Sequence, residues 1–385
     1  MAGLYIHVPF CVKRCVYCDF FSNTQAVRYK ESYLAAIVEE MSIRREYIGG
    51  EALETVYFGG GTPSVLTPAD FEKVFDAIYR LFTVKEGAEI TLEANPDDMT
   101  PSYVLSLGRM PFNRISMGVQ SFNDQDLRLL GRRHNADRAV EAVSLCRELG
   151  KYDNVSIDLM YGLPGQTTAM WEYNLREALR LETPHISAYH LTYEKNTPLY
   201  RMKEEGRVRP VSEDVSLEMF ELLTAGLPEA GYLHYEISNF ALPGYLSLHN
   251  SGYWTDRKYL GIGPSAHSYD TQSRQWNVSS LSRYVEGILK GLPDVESERL
   301  DENARYNEYI MTGLRCRQGI SIGHILTTFG ERKYLYCKKQ AKAFIDGGIL
   351  CEEGDRWRLS KRGIFVSDDV ISRLFWVDNY TKHRL

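Results

Sequence analysis

The sequence predicts an α/β fold, a partial (β/α)6 TIM-like barrel followed by a C-terminal helical, winged-helix-like domain, and three observations predict it. From residue 4 to about 195, β-rich runs alternate regularly with helical patterns, which argues for parallel strands joined by βα units. Gly, Glu, Gln and Asp residues gather at the ends of those runs, where α/β folds collect ligands. Past residue 300, helical runs lead into two short strands about a Gly-Asp turn.

The elements follow in order. LYIHV is the first strand, and the segment RYKESYLAAIVEEMSIRREYIGG has apolar residues at helical spacing and is expected to stop at Gly49-Gly50. TVYFGGG is the second strand. The next helix opens at Thr67-Pro68-Ala69-Asp70, a hydroxyl N-cap, a proline at the first helical position and an acid two residues on. EITLEANP, RISMGVQS, VSIDLMYGLP and HISAYHLTYE complete six strands. Residues 232–277 change character, being rich in aromatics and glycine and holding three of the nine histidines; they read as a long functional connection. The C-terminal strands lie in GGILCEEGDRWRLS. The expected domains are 1–231 (barrel), 232–299 (ligand-binding segment and connection) and 300–385 (terminal domain).

The chain has 385 residues, 44% hydrophobic, with 45 basic against 51 acidic side chains and a formal net charge of -6. It can bury a large core, and no bulk positive field draws it to nucleic acid. The opening MAGLYIHVPFC has no secretory pattern, and no run is long and apolar enough to span a bilayer. A cytoplasmic protein is expected, with a peripheral place at a membrane left open. Of seven cysteines, three crowd into eight residues while Cys146, Cys316, Cys337 and Cys351 are scattered, which points to metal rather than disulfides.

Cys11, Cys15 and Cys18 form C-x3-C-x2-C on a loop after the first strand. Thiolates hold Fe-S clusters, and three of them leave one corner of a cubane open to an external ligand. Zinc, which prefers four protein ligands in closed sites, and ordinary buried thiols are the alternatives.

With Tyr17 before the last cysteine, this spacing resembles that of the radical S-adenosylmethionine superfamily. YIHVPFC, GGGTP at Gly59 to Pro63, MGVQSF around Gln120 and IDLMYGLPGQ from Ile157 resemble its HemN/HemW branch, which holds anaerobic coproporphyrinogen III dehydrogenases and heme chaperones. The likeness runs through nearly the whole chain. It implies a 4Fe-4S cluster on the three cysteines, and S-adenosylmethionine cleaved reductively to a 5'-deoxyadenosyl radical. It also implies cofactor contacts from Tyr5, Tyr17, Gly60, Gly61, Thr62, Glu93, Gln120, Arg132 and Asp158. A glycine run lets backbone approach a ligand, carboxylate and amide oxygens suit ribose hydroxyls, and a guanidinium suits the methionyl carboxylate. Arg133 is the alternative to Arg132.

Two departures separate the functions within the branch. Dehydrogenases carry a fourth cysteine where this chain has Phe20, and an N-terminal extension where it has ten residues before Cys11. The run His249-Asn250-Ser251-Gly252-Tyr253-Trp254 fits the HN-x2-YW motif of the heme chaperones. A neutral imidazole ligates heme iron, and Tyr and Trp offer flat surfaces to a macrocycle. The resemblance therefore implies heme binding by His249, Asn250, Tyr253 and Trp254, with His234, His267 and Cys316 as other candidate ligands. The first expectation is a heme chaperone that passes heme to an apo-hemoprotein, such as a respiratory membrane protein, with a reductant for the cluster and a homodimer as one option. Coproporphyrinogen III dehydrogenation is the alternative. In the terminal domain, GERKYLYCKKQAKAF is read as a solvated helix face in a packing or lid domain rather than as a DNA-reading helix.

Overall fold

The computed structural model describes residues 2–24 and 26–377, so the last part of the expected terminal domain, 378–385, lies outside the described residues. Six strands, β1 (Ala2–Val8), β2 (Leu53–Gly60), β3 (Val84–Ala94), β4 (Arg114–Gln120), β5 (Val155–Tyr161) and β6 (His185–His190), pair in parallel in chain order. Each is the strand expected, and their carboxyl ends share one edge.

On one face of β2, Phe58 packs edge-on against Phe71 of the helix Pro68–Leu81 at 5.5 Å, within a continuous apolar core. That helix begins with the capping box expected, Thr67 and Asp70 each satisfying the other's backbone amide. The inward face is polar instead. Tyr5 and His7, Thr55 and Tyr57, Glu89 to Glu93, and Arg114 and Ser116 occur at alternate positions of β1 to β4, as a two-residue period demands.

Two expectations are corrected. The helix expected to reach Gly49-Gly50 is Lys30–Arg44, and tight turns follow it, with Tyr47 N donating to Arg44 O and Gly49 N to Glu46 O. Gly49 and Gly50 adopt positive φ of 67° and 72° to close those turns. Residues 232–277 are no mere connection. They supply β7 (Leu233–Glu236), β8 (Asn239–Ala241), β9 (Tyr259–Ile262), β10 (His267–Tyr269) and β11 (Ser273–Asn277), and β12 (Val295–Arg299) follows. Strand β8 pairs with β6 and β9 with β1, so the segment extends both edges of one twelve-stranded sheet.

A buried ion pair fastens the β9 side. Glu40 accepts from Arg44 Nη1 at 3.0 Å, Gly263 N at 2.9 Å, Asn277 Nδ2 at 2.7 Å and the Tyr284 hydroxyl at 2.6 Å. Arg44 donates in turn to Gly261 O and Ser268 Oγ. Such a pair is tolerable inside because its remaining hydrogen-bonding positions are filled.

The terminal domain has its own core around Tyr306, Ile325, Cys337, Trp357 and Leu374. Strands β13 (Ile320–Ser321), β14 (Leu350–Glu353) and β15 (Arg356–Leu359) form a small sheet, with β14 and β15 meeting at the expected Gly354-Asp355 turn. The helix Ile322–Asp346 breaks at Gly330, φ 82°. Beyond the break, Lys333, Cys337 and Ala341 are buried in one stripe, and Lys333 pairs with Glu302 at 3.1 Å. Among the described residues, no helix is long and apolar enough to cross a membrane.

Candidate functional site

The cysteine loop leaves β1 and is stitched to three other parts of the barrel mouth. Asn23 N donates to Pro9 O at 2.7 Å, closing the loop on itself. Val16 N donates to Leu130 O at 3.1 Å, and Val16 O accepts from Leu199 N at 2.9 Å. Tyr17 packs into a small cluster with Leu130, Met160 and Leu199. The loop is thus held at fixed height over the ends of β4 and β5.

All three cysteines are free thiols, Cys11 buried and Cys15 and Cys18 half-buried. Burial pushes the Cys11 thiol up and the Cys18 thiol up to about 11, so the chain alone keeps both protonated. The Thr62 hydroxyl donates to Cys11 Sγ at 3.3 Å, and Arg132 Nη1 lies 3.4 Å from Cys15 Sγ. Among the described residues no three His, Cys, Asp or Glu side chains converge to hold one metal ion. A cubane does not require that convergence, since each thiolate binds its own iron, and three thiols on one pinned loop fit such a group.

Beside the thiols, Gly59 to Gly61 leave a cradle that any side chain would fill. A Cβ on Gly61 would meet Phe10 O at 2.7 Å and Cys11 Sγ at 3.0 Å, and one on Gly60, φ 109°, would meet the His7 ring at 2.8 Å. Glu93 forms the floor. Its Oε2 accepts from Gly60 N at 3.1 Å and its Oε1 from the Tyr57 hydroxyl at 2.8 Å. Burial, with the nearby Asp158 carboxylate adding to it, pushes the Glu93 carboxyl up to about 7.

Asp158 stands mid-strand rather than at the rim, one correction to its expected place. Ser116 Oγ donates to it at 3.5 Å, and burial pushes its carboxyl up to about 6. Gln120 ends β4 with a positive φ of 70°, and its side chain lies back over Gly118. For a residue other than glycine this is a strained setting of the kind that accumulates at functional sites.

The two candidate arginines face different neighbours. Arg132 donates to Gly118 O at 2.6 Å and keeps a buried Nε without a partner among the described residues, beside Cys15. Arg133 turns away to pair with Asp98 at 2.7 Å. Tyr5 lies deeper, its hydroxyl on His7 Nδ1 at 3.2 Å and its ring stacked on Tyr57.

The raised Glu93 carboxyl gives a stability prediction. The folded chain holds that proton up to about 7 while the unfolded chain releases it near 4.5, so stability conferred by the neutral form is full below 4.5 and is lost as pH rises through 7. In the cofactor-free chain, Glu93→Gln should lessen the fall in unfolding free energy between about pH 5 and about pH 8 by about 1–3 kcal/mol. Urea titrations at both pH values check this, and equal falls in the two proteins would refute it.

The run 249–254 is divided between two neighbourhoods. Leu248 N and His249 N donate to the two Glu89 carboxylate oxygens, both at 2.9 Å, which seats the short helix Leu248–Tyr253 on β3. His249 lies inside the barrel, stacked on Tyr57 at 4.8 Å. Its Nδ1 is 2.8 Å from Thr55 Oγ1 and its Nε2 is 2.9 Å from the Tyr253 hydroxyl. Burial, with Arg114 nearby, lowers it to about 3, so the ring is neutral. It is also only 4% exposed, with both nitrogens engaged, and offers no free lone pair to an incoming iron in this arrangement. Asn250 donates its backbone amide to Ser247 Oγ. Trp254 faces the terminal domain, where the Arg315 guanidinium lies 4.8 Å over its ring.

Two features escaped the sequence reading. Arg114 is 1% exposed and faces the barrel interior with Nε and Nη1 unpartnered among the described residues. Glu89 is the anchor of the short helix. Both could have been suspected from polar residues at every second position of strands that ordinarily run apolar throughout.

Comparison with known proteins agrees with this geometry. Residues 5–178 match the Radical SAM superfamily and residues 300–366 match the HemN C-terminal domain. The chain is 32% identical to the heme chaperone HemW of Lactococcus lactis subsp. lactis (strain IL1403), covering 97% of each chain. It is 35% identical to the heme chaperone HemW of Bacillus subtilis (strain 168), over 96% of this chain and 98% of that one. The solved coproporphyrinogen III oxidase (HemN) from Escherichia coli shares the fold at a TM-score of 0.84 and 21% identity, covering 97% of this chain and 90% of the other. The Glu93 floor, the glycine cradle and the three-thiol loop therefore stand within a fold of known kind, and the chain belongs to the HemW family of radical S-adenosylmethionine proteins.

Proposed function

We propose that this protein is a heme chaperone that takes up heme and delivers it to an apo-hemoprotein, using a 4Fe-4S cluster and S-adenosylmethionine in support. The near full-length likeness to two heme chaperones carries the reading. Phe20, 65% exposed, stands where the dehydrogenases of the branch have a fourth cysteine, which weighs against porphyrinogen oxidation.

When bound, the cluster and S-adenosylmethionine supply one-electron cleavage of the sulfonium. Cys11, Cys15 and Cys18 would hold the cluster. Gly60, Gly61 and Thr62 would let the cofactor's methionyl end come against backbone, and Arg132, beside Cys15, would take its carboxylate. Glu93, Gln120 and Asp158 would receive ribose hydroxyls; burial raises both carboxyls, and each added hydroxyl donor would favour their ionised form. Tyr17 closes the side of the pocket toward Leu130 and Leu199, and Tyr5 supports its floor through Tyr57.

The test offers hemin and coproporphyrinogen III to the anaerobically reconstituted protein. Hemin retained through gel filtration, passed on to an apo-hemoprotein, with no protoporphyrinogen formed, is the expected result. Conversion of the porphyrinogen with consumption of S-adenosylmethionine would overturn it.

A further inference from the structure

A cleft of about 410 Å³ runs between the outer strands of the barrel and the terminal domain. Its floor is a short antiparallel junction, in which Ile237 N donates to Arg315 O at 3.1 Å, Arg317 N donates to Tyr235 O at 3.0 Å, and Glu236 stands opposite Cys316. No site residue of the barrel mouth lines it. We infer that this cleft is the seat of the carried heme, with the Cys316 sulfur as the iron ligand and the surrounding cations receiving the propionates. The inference rests on the heme-chaperone reading and deepens it.

Four observations support it. The walls are apolar where a macrocycle would lie, being formed in part by Leu314, Leu359 and Ile364, and the volume falls in the range of small-ligand sites. Four cations line the same space, Arg315, Arg317, Arg358 and Lys361, against one carboxylate, Glu236. Arg358 already pairs with Glu353, and Glu236 lies in the field of Arg315, which leaves Arg317 and Lys361, one cation for each propionate.

The third observation is a pair of unmet donors. Arg315 Nε and Trp254 Nε1 are both buried without a hydrogen-bond partner among the described residues, and the two side chains are stacked on each other. A buried donor left unpaired costs about 1–3 kcal/mol; Arg315 lines the cleft and Trp254 stands behind it, so an acceptor entering there would relieve a penalty that Glu236, already bonded to Ser238 and Asn239, leaves in place. The fourth is elimination among ligands. His234 lines the cleft, but its Nε2 bonds Ile237 O at 3.1 Å and its ring stacks on Phe240 at 4.2 Å. His249 is sealed in the barrel. Cys316 is a half-buried free thiol in the cleft wall, and thiolate is an established heme ligand.

Burial and the neighbouring Glu236 push that thiol up to about 12, so the chain alone presents S–H. Coordination to ferric iron breaks the S–H bond, forms the Fe–S bond and releases one proton to solvent, with no electron transferred. A cleft open on one side leaves part of the macrocycle reachable, as a carrier that gives up its cargo needs.

The experiment uses the full chain, ferric hemin and iron-free protoporphyrin IX, with Kd from absorbance titration and the Soret band recorded after gel filtration. Cys316→Ser should shift the Soret band and weaken hemin binding about tenfold or more, while protoporphyrin binding stays unchanged. The double substitution Arg317→Glu with Lys361→Glu, at exposed positions, should weaken both ligands. Unchanged hemin affinity and spectrum in Cys316→Ser, with loss in His249→Ala, would place heme on the 249–254 run and overturn this inference while leaving the chaperone reading standing. A wild-type chain that binds no hemin would overturn both.

Discussion

Replacing Cys15 by serine should take the iron content of the anaerobically reconstituted protein from about four atoms per chain to well below one. A cubane held by three thiolates has no reserve ligand, and the serine hydroxyl is a poor substitute for a sulfur anion. The scattered cysteines give the control. Cys146 lies on the core-facing side of the helix Ala136–Glu148, and Cys146→Ser should cost about 1–2 kcal/mol of stability by burying a hydroxyl, yet leave the iron in place. Cys15 is half-buried and outside the apolar core, so its replacement should leave the unfolding midpoint of the iron-free chain almost unmoved. Iron analysis, the absorbance shoulder of the cluster and the low-temperature paramagnetic signal after dithionite read the first effect, and denaturation reads the second. Full iron in Cys15→Ser, or equal loss in Cys146→Ser, would show that the loop is not the cluster site.

The six-stranded half of the fold was legible because its strands are long, apolar on the outward face and separated by helices with clear caps. The edge strands were not. β10 is His-Ser-Tyr and β11 is Ser-Arg-Gln-Trp-Asn, sequences without an apolar period, and they are strands because β9 and β12 offer partners. The three thiols and the glycine loop could be singled out from the sequence, the thiols by their spacing and the glycines by the resemblance, since each lies within one short stretch of chain. Adjacent residues such as Arg132 and Arg133 are a different matter. Gly131, in a left-handed turn with φ 75°, sets which guanidinium faces Cys15, and Asp97 and Asp98, more than thirty residues away, claim the other. The cleft at Cys316 was still less visible, because its walls come from residues 228–237, 314–317 and 358–364 and meet only through the junction of Tyr235 and Ile237 with 315–317.

The histidine of the 249–254 run also illustrates how a motif can mark a place without giving its geometry, and Glu89 is the residue that settles that geometry. Glu89→Ala should destabilise the chain by about 2–4 kcal/mol, with Glu89→Gln losing roughly half as much. The carboxylate is buried and takes two backbone donors at the start of the helix Leu248–Tyr253, the end where the peptide dipoles favour negative charge. Alanine leaves those amides unpaired in a nearly dry place and removes a negative charge from the interior that also holds Arg114, whereas glutamine keeps one acceptor oxygen. The loss should also be local. Amide exchange at Leu248 and His249 should speed up far more than at the core strands β3 and β4, because those two amides are the ones Glu89 accepts and the helix is short. If Glu89→Ala shifted stability by under about 0.5 kcal/mol with those amides still protected, the short helix would be held by the Ser247 cap and by His249, through its stacking on Tyr57 and its bond to Thr55. The buried place of His249 would then depend on ring stacking and its neutral partners Thr55 and Tyr253, and heme could draw the imidazole out without first breaking a charged anchor.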